Sequence, residues 1–209
     1  MPNATFAKSI LASLVVFLSL VATGAARAED SLRNEFYGSL GGGAGGPGGG
    51  AGGEISNGPT ALLVTGVIGP GSYEEFRSAL GRGTPELVVI DGPGGVLGEA
   101  LLIGQEVRRR HLSTLVGAHH SCASACAVVF LSGRSKYVGA GAVIGLHSAS
   151  YADGRADPEA TAVMADYLRG VGVPTATLVR MARTAPSDIR WLTKGEQRAI
   201  GIQAFKGRQ

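Results

Sequence analysis

The spacing of apolar residues changes several times along the chain, and each change marks a predicted element. Residues 10–22 form an uncharged apolar run of 13 residues with no amphipathic face. From residue 61 onward, short apolar runs alternate with stretches of helical spacing. Residues 61–68 and 86–90 are aliphatic runs closed off by Gly and Pro, which reads as strands. Between them, residues 72–80 carry Glu74 and Glu75 early, where a helix dipole favours acids. Residues 96–112 place apolar side chains at 97, 101 and 107, with 100 and 103 beside them, so they form one stripe; Glu106 and Arg110 make an i,i+4 pair. Further strand-like runs cover 113–118, 136–138 and 141–146, and residues 125–131 read as a buried helix. Helices are predicted over 158–170, 174–184 and 194–200, with a polar loop at 151–157. This alternation predicts an α/β domain with a mostly parallel sheet.

The chain ahead of that domain has a different character. Lys8, the apolar run and the small-x-small site Ala26, Arg27, Ala28 make residues 1–28 a secretory signal peptide, cleaved after Ala28. The run falls short of the ~20 residues that span a bilayer. A periplasmic or secreted protein with no stable membrane span after cleavage is therefore expected. Residues 1–28 hold two bases and no acid, so the remainder has 19 − 2 = 17 basic and 16 acidic residues, about +1. The basic pI is thus partly a targeting feature. The cluster of Arg108, Arg109 and Arg110 ends a predicted helix, where cations complement the dipole, and no nucleic-acid partner is expected. Residues 29–58 read as a leader and linker: positions 41–53 hold ten glycines, two alanines and one proline, too little apolar surface to offset chain entropy. Residues 59–209 form one domain.

Within that domain, three apolar runs each end in residues with chemical meaning. The first ends at Asp91, Gly92, Pro93, Gly94 and Gly95, read as a glycine turn; the second leads to Ser124; the third ends at His147. A serine hydroxyl needs a base to take its proton, and a developing oxyanion needs preplaced N–H donors. Gly95 can aim its N–H because glycine tolerates positive φ, and Ala125 would sit in a first helical turn with no intrahelical acceptor. Ser124 is therefore the candidate nucleophile, His147 the candidate base, and Gly95 with Ala125 the candidate oxyanion donors. The competing readings are a small residue needed for packing at position 124 and a structural histidine at 147. The three features in this order favour acyl transfer.

The segments Ile90-Asp91-Gly92-Pro93-Gly94-Gly95-Val96, Ala123-Ser124-Ala125 and Gly145-Leu146-His147 together resemble the three motif blocks of the Clp protease proteolytic subunit, within the Clp protease/crotonase superfamily. The intervals, 124 − 95 = 29 and 147 − 124 = 23 residues, are similar to the family's, and the resemblance covers residues 61–202. It implies a ββα spiral, the roles assigned above to Ser124, His147, Gly95 and Ala125, a peptide or unfolded protein substrate, a homo-oligomer, and no cofactor or metal.

Two features depart from the family pattern. Aligning Trp191-Leu192-Thr193 without gaps puts Ala185 where the family's aspartate stands, and Asp188 is the nearest carboxylate, taken as the third catalytic residue. Cys122 and Cys126 bracket the serine, and three readings stay open: a disulfide locking the serine's turn, two buried free thiols, or a cysteine nucleophile. His119 and His120 are adjacent and face opposite ways, so no metal site is expected; one of them is expected to line a substrate groove.

The functional expectation is an exported, ATP-independent serine peptidase acting through an acyl-enzyme on Ser124. The alternatives are a Ser–Lys enzyme of the signal peptide peptidase A type, using Lys136 or Lys194, and a catalytically degenerate binding or scaffold module.

Overall fold

The computed structural model describes residues 61–205. The signal segment and the glycine-rich leader lie outside the described residues. The apolar runs become strands β1 (Ala61–Ile68), β2 (Leu87–Gly95), β3 (Ser113–Val116), β4 (Ser121–Ala123), β5 (Lys136–Val138), β6 (Val143–Leu146), β7 (Arg190–Trp191) and β8 (Ile202–Ala204). The helically spaced stretches become α1 (Ser72–Gly81), α2 (Leu97–Arg109), α3 (Ala125–Leu131), α4 (Pro158–Gly170), α5 (Thr175–Arg183) and α6 (Lys194–Ile200). No helix among the described residues is long and apolar enough to cross a membrane.

The sheet branches at β2. On one side β1 runs parallel to it along its length, from Ala61 opposite Leu87 to Ile68 opposite Gly95. On the other side two strands share it: β3 pairs with Leu87, Val88 and Val89, while β4 pairs with Gly92 through Cys122. The first branch continues through β5 to β8, and the second through β6 to β7. Among the strands of the described residues, only β7 pairs antiparallel. The α/β class and the mostly parallel sheet expected from the alternating pattern are therefore present.

The stretch 91–95 is not a turn. It continues β2 in extended conformation, with a bulge opposite it between Thr65 and Val67. Glycine makes this possible because the two backbones lie unusually close: a Cβ on Gly92 would stand 2.2 Å from the Gly66 carbonyl oxygen, and one on Gly95 2.1 Å from that of Ile68. A second difference is that the serine follows β4, a separate strand, rather than the end of β3. His119, at φ 64°, breaks the path between them.

Helix α3 is the core of the molecule, since all seven of its residues are buried. Its face packs with Ile90 of β2, Ile103 and Val107 of α2, and Met164 and Leu168 of α4 in one cluster. Burying a side chain such as Phe130 or Leu131 contributes roughly 2–3 kcal/mol each. Glu106, buried beneath the end of α2, accepts from Arg109 and Arg110, so the basic cluster folds back on its own helix. The hydrogen bond from Arg109 outweighs burial, Arg110 adds to it, and the Glu106 carboxyl is held down at about 2.

Candidate active site

The second branch of the sheet brings the chemistry together. Ser124 lies between the end of β4 and the start of α3, and its backbone sits at φ 57°, ψ −127°, which L-residues rarely occupy. Such a conformation costs on the order of 1–3 kcal/mol and persists only where the surroundings impose it. Here the Ser124 N–H donates to the Gly145 carbonyl at 2.9 Å, and the Ser124 carbonyl accepts from Ala127 at 3.0 Å. Gly94 presses from below: a Cβ there would stand 2.6 Å from Ser124 Cβ and 2.8 Å from the Ala125 nitrogen. The sequence marks Gly94 with Gly95 as a pair allowing close approach, but not its contact with the serine, which depends on β2 continuing beneath it.

Cys122 and Cys126 are joined in a disulfide across this turn, with Cα atoms 5.2 Å apart. The separation is shorter than the ~6 Å of a helical i,i+4 pair because Cys122 belongs to a strand and Cys126 to the helix. With both sulfurs bonded to each other, neither is a nucleophile.

His147 follows β6 and is half-buried. Its Nδ1 lies 2.6 Å from the carbonyl oxygen of Ser148. A carbonyl can only accept, so Nδ1 carries the proton in the neutral ring and Nε2 is left as the basic nitrogen. Ser148 is itself clamped, since its N–H and its hydroxyl both donate to the Thr184 carbonyl, at 3.0 and 2.8 Å. The next residue is fixed too: the Ala149 N–H donates to Thr161 Oγ1 at 2.9 Å.

Ser124, Ala125, Gly95 and His147 line one groove of about 480 Å³, walled by Val67, Ile68, Val96 and Tyr151 and floored by Met164, with no charged residue in its lining. The structure does not bring Asp188 into this group. The chain leaves Thr184 for an exposed turn in which the Asp188 N–H donates to the Ala185 carbonyl at 2.9 Å, and its carboxylate makes no hydrogen bond or ion pair among the described residues. The signal for the Ser148 clamp was a serine next to the histidine, but its partner lies 36 residues away and no pattern marks it.

The neighbouring histidines and lysines stand elsewhere. His120 Nδ1 is 3.0 Å from Asp91 Oδ2, and Asp91 Oδ1 accepts from the Ser121 N–H at 3.2 Å. His119 packs against Gly141. Neither lines the groove, contrary to the expectation for one of them, because each is held by the ends of neighbouring strands. Lys136 is buried on β5 with Nζ donating to the Gly133 carbonyl at 3.2 Å, and burial lowers its pKa, with Arg108 adding to the effect. Lys194 reaches toward Gln197 at the start of α6.

A branched, mostly parallel α/β sheet wrapped by helices, with a strand-to-helix serine over a glycine strand, defines the Clp protease-like fold. The chain has that fold, as solved structures show. The ClpP protease catalytic domain from Plasmodium falciparum matches at TM-score 0.54 and 17% identity, over 70% of this chain and 85% of that one. ClpP1 from Listeria monocytogenes matches at 0.54 and 14%, over 71% and 92%. A variant of the 1510-N membrane-bound stomatin-specific protease, in complex with a substrate peptide, matches at 0.51 and 19%, over 69% and 73%. No family profile matches the sequence, and no curated protein is detected as its relative.

Proposed function

We propose that the chain is a serine peptidase that works with a dyad in place of a triad. The observation that carries this reading is the convergence of Ser124, His147, Gly95 and Ala125, from three separate segments, on one uncharged groove. In the proposed reaction Ser124 Oγ attacks the scissile carbonyl carbon as His147 Nε2 takes its proton. The oxyanion receives the N–H groups of Gly95 and Ala125. Collapse breaks the C–N bond, the imidazolium protonates the leaving amine, and water then hydrolyses the acyl-enzyme by the same steps. The Ser148 carbonyl performs the part of a triad carboxylate that concerns orientation, fixing the tautomer. It supplies no full negative charge to stabilise the imidazolium.

The fold's neighbours support a peptide as substrate, since one of them is bound to a substrate peptide. Export through residues 1–28 would put the enzyme where ATP is not supplied, so its substrates would be flexible peptides or unfolded proteins, and the mature chain would begin at Glu29. Mass spectrometry of the exported protein's N-terminus tests that location. Labelling by a fluorophosphonate probe tests the chemistry: wild-type protein is labelled, Ser124→Ala abolishes it, and His147→Ala lowers it at least a hundredfold. An unlabelled wild-type protein would overturn the proposal.

A non-catalytic peptide-binding module is the second reading, favoured by the missing carboxylate at His147. It expects a Ser124→Ala strain to behave like wild type where a deletion strain is defective. A Ser–Lys enzyme is disfavoured by Lys136 and Lys194, which both lie outside the groove.

A further inference from the structure

The disulfide across the serine's turn sits where it can do more than stabilise. Cys122 is paired in register between Gly92 of β2 and Ile144 of β6, in the middle of the site branch. Cys126 follows Ala125, one of the two candidate oxyanion donors. The bridge therefore ties the fixed strand on one side of Ser124 to the helix on the other, and the residue it encloses is held in a left-handed conformation that an L-residue does not keep unaided. A bridge enclosing so few residues constrains the unfolded chain far less than a long-range one, so its main effect is local. Its sulfurs are shielded, with Cys122 0% and Cys126 1% exposed. Once the bridge has formed in the folded protein, small reductants do not reach it readily.

We infer that Cys122 and Cys126 are positioning residues for Ser124, and that forming their disulfide converts a folded but latent chain into a competent one. The inference rests on the reading of Ser124 as nucleophile. In the activating step the two thiols lose two electrons and two protons to a disulfide-donating oxidant, through a mixed disulfide that the second thiolate displaces; the oxidant leaves as its dithiol. In the reduced chain the turn relaxes at Ser124, and the hydroxyl and the Ala125 N–H lose their common aim. A reducing compartment therefore holds the enzyme inactive, and an oxidising one activates it.

The test compares three forms of the full chain: oxidised wild type, wild type refolded from denaturant with excess dithiothreitol, and Cys122→Ala/Cys126→Ala. Fluorophosphonate labelling rates and amide hydrogen exchange over residues 121–127 are measured, with far-UV circular dichroism and cooperative melting as the check on folding. The reduced and double-Ala forms are expected to melt cooperatively, label at least tenfold more slowly and exchange at least tenfold faster in that segment; oxidation by glutathione disulfide restores the wild type and leaves the double-Ala form unchanged. Labelling within twofold of oxidised wild type, with unchanged exchange, overturns the inference. If the double-Ala form does not fold, Cys122→Val/Cys126→Ala refills the volume and is read the same way. If oxidised wild type is not labelled at all, the nucleophile reading has failed, and exchange alone decides whether the bridge holds the turn: equal exchange in the oxidised and reduced forms overturns it.

Discussion

His147 owes its tautomer to the carbonyl of the residue that follows it, and that carbonyl is aimed by the double hydrogen bond from Ser148 to Thr184. Ser148→Ala removes one of the two bonds and leaves the carbonyl in place. The proposed mechanism then expects kcat to fall about tenfold with KM unchanged, since a slackened ring loses about the value of one hydrogen bond in the transition state. Ser148→Thr should restore most of the loss. Asp188→Asn should change kcat/KM by less than twofold, because the carboxylate makes no hydrogen bond or ion pair among the described residues and does not line the groove; a hundredfold loss would return Asp188 to the site. Gly94→Ala meets two obstacles, a φ of 107° and the Ser124 Cβ at 2.6 Å. It should lower stability by roughly 2–4 kcal/mol in a denaturant titration and abolish labelling of Ser124. At this scale the sequence was informative about chemistry and uninformative about partners. Ser124, His147, Gly95 and Ala125 could be named because their residue types are unusual where they stand. The Thr184 carbonyl could not, since main-chain groups carry no mark in a sequence.

Elements were most legible where periodicity is long. The helices at 158–170 and 194–200 and the strand at 61–68 were expected at the bounds observed. The strands missed, β4, β7 and β8, have three, two and three residues. Pairing defines them, and no alternation of two or three positions can signal it. Helix α6 begins with a cue the sequence reading did not use: Thr193 and Glu196 form a reciprocal capping box. Arg190 Nη2 also donates to both Glu196 carboxylate oxygens, at 3.0 Å each, so one carboxylate joins the β7 edge to the helix start. Thr193→Ala should cost about 1–2 kcal/mol, read as a lower urea midpoint with an unchanged slope.

Two buried carboxylates set the acid behaviour of the whole domain. For Glu196 burial alone would raise the pKa, yet the hydrogen bonds from Arg190 and from the Thr193 N–H and hydroxyl outweigh it and bring it from 4.5 to about 2. Glu106 reaches about 2 through Arg109 and Arg110. Because both folded values lie below the unfolded one, their contribution is complete above about pH 4.5 and is lost as pH falls toward about 2. Denaturation free energies measured across that window should therefore decline on acidification, and Glu106→Gln with Glu196→Gln should flatten the decline.

At the same scale, the branching of the sheet at β2 was beyond any reading of local pattern, since it depends on which of two later strands takes each half of one edge. It also dictates when the molecule becomes whole. The loop bearing the imidazole is tied to a carbonyl 36 positions further on, so a ribosome that has not yet delivered residue 184 has made a polypeptide whose base has no fixed aim. Synthesis itself therefore postpones a fixed imidazole until the segment around residue 184 has emerged and folded back onto the loop.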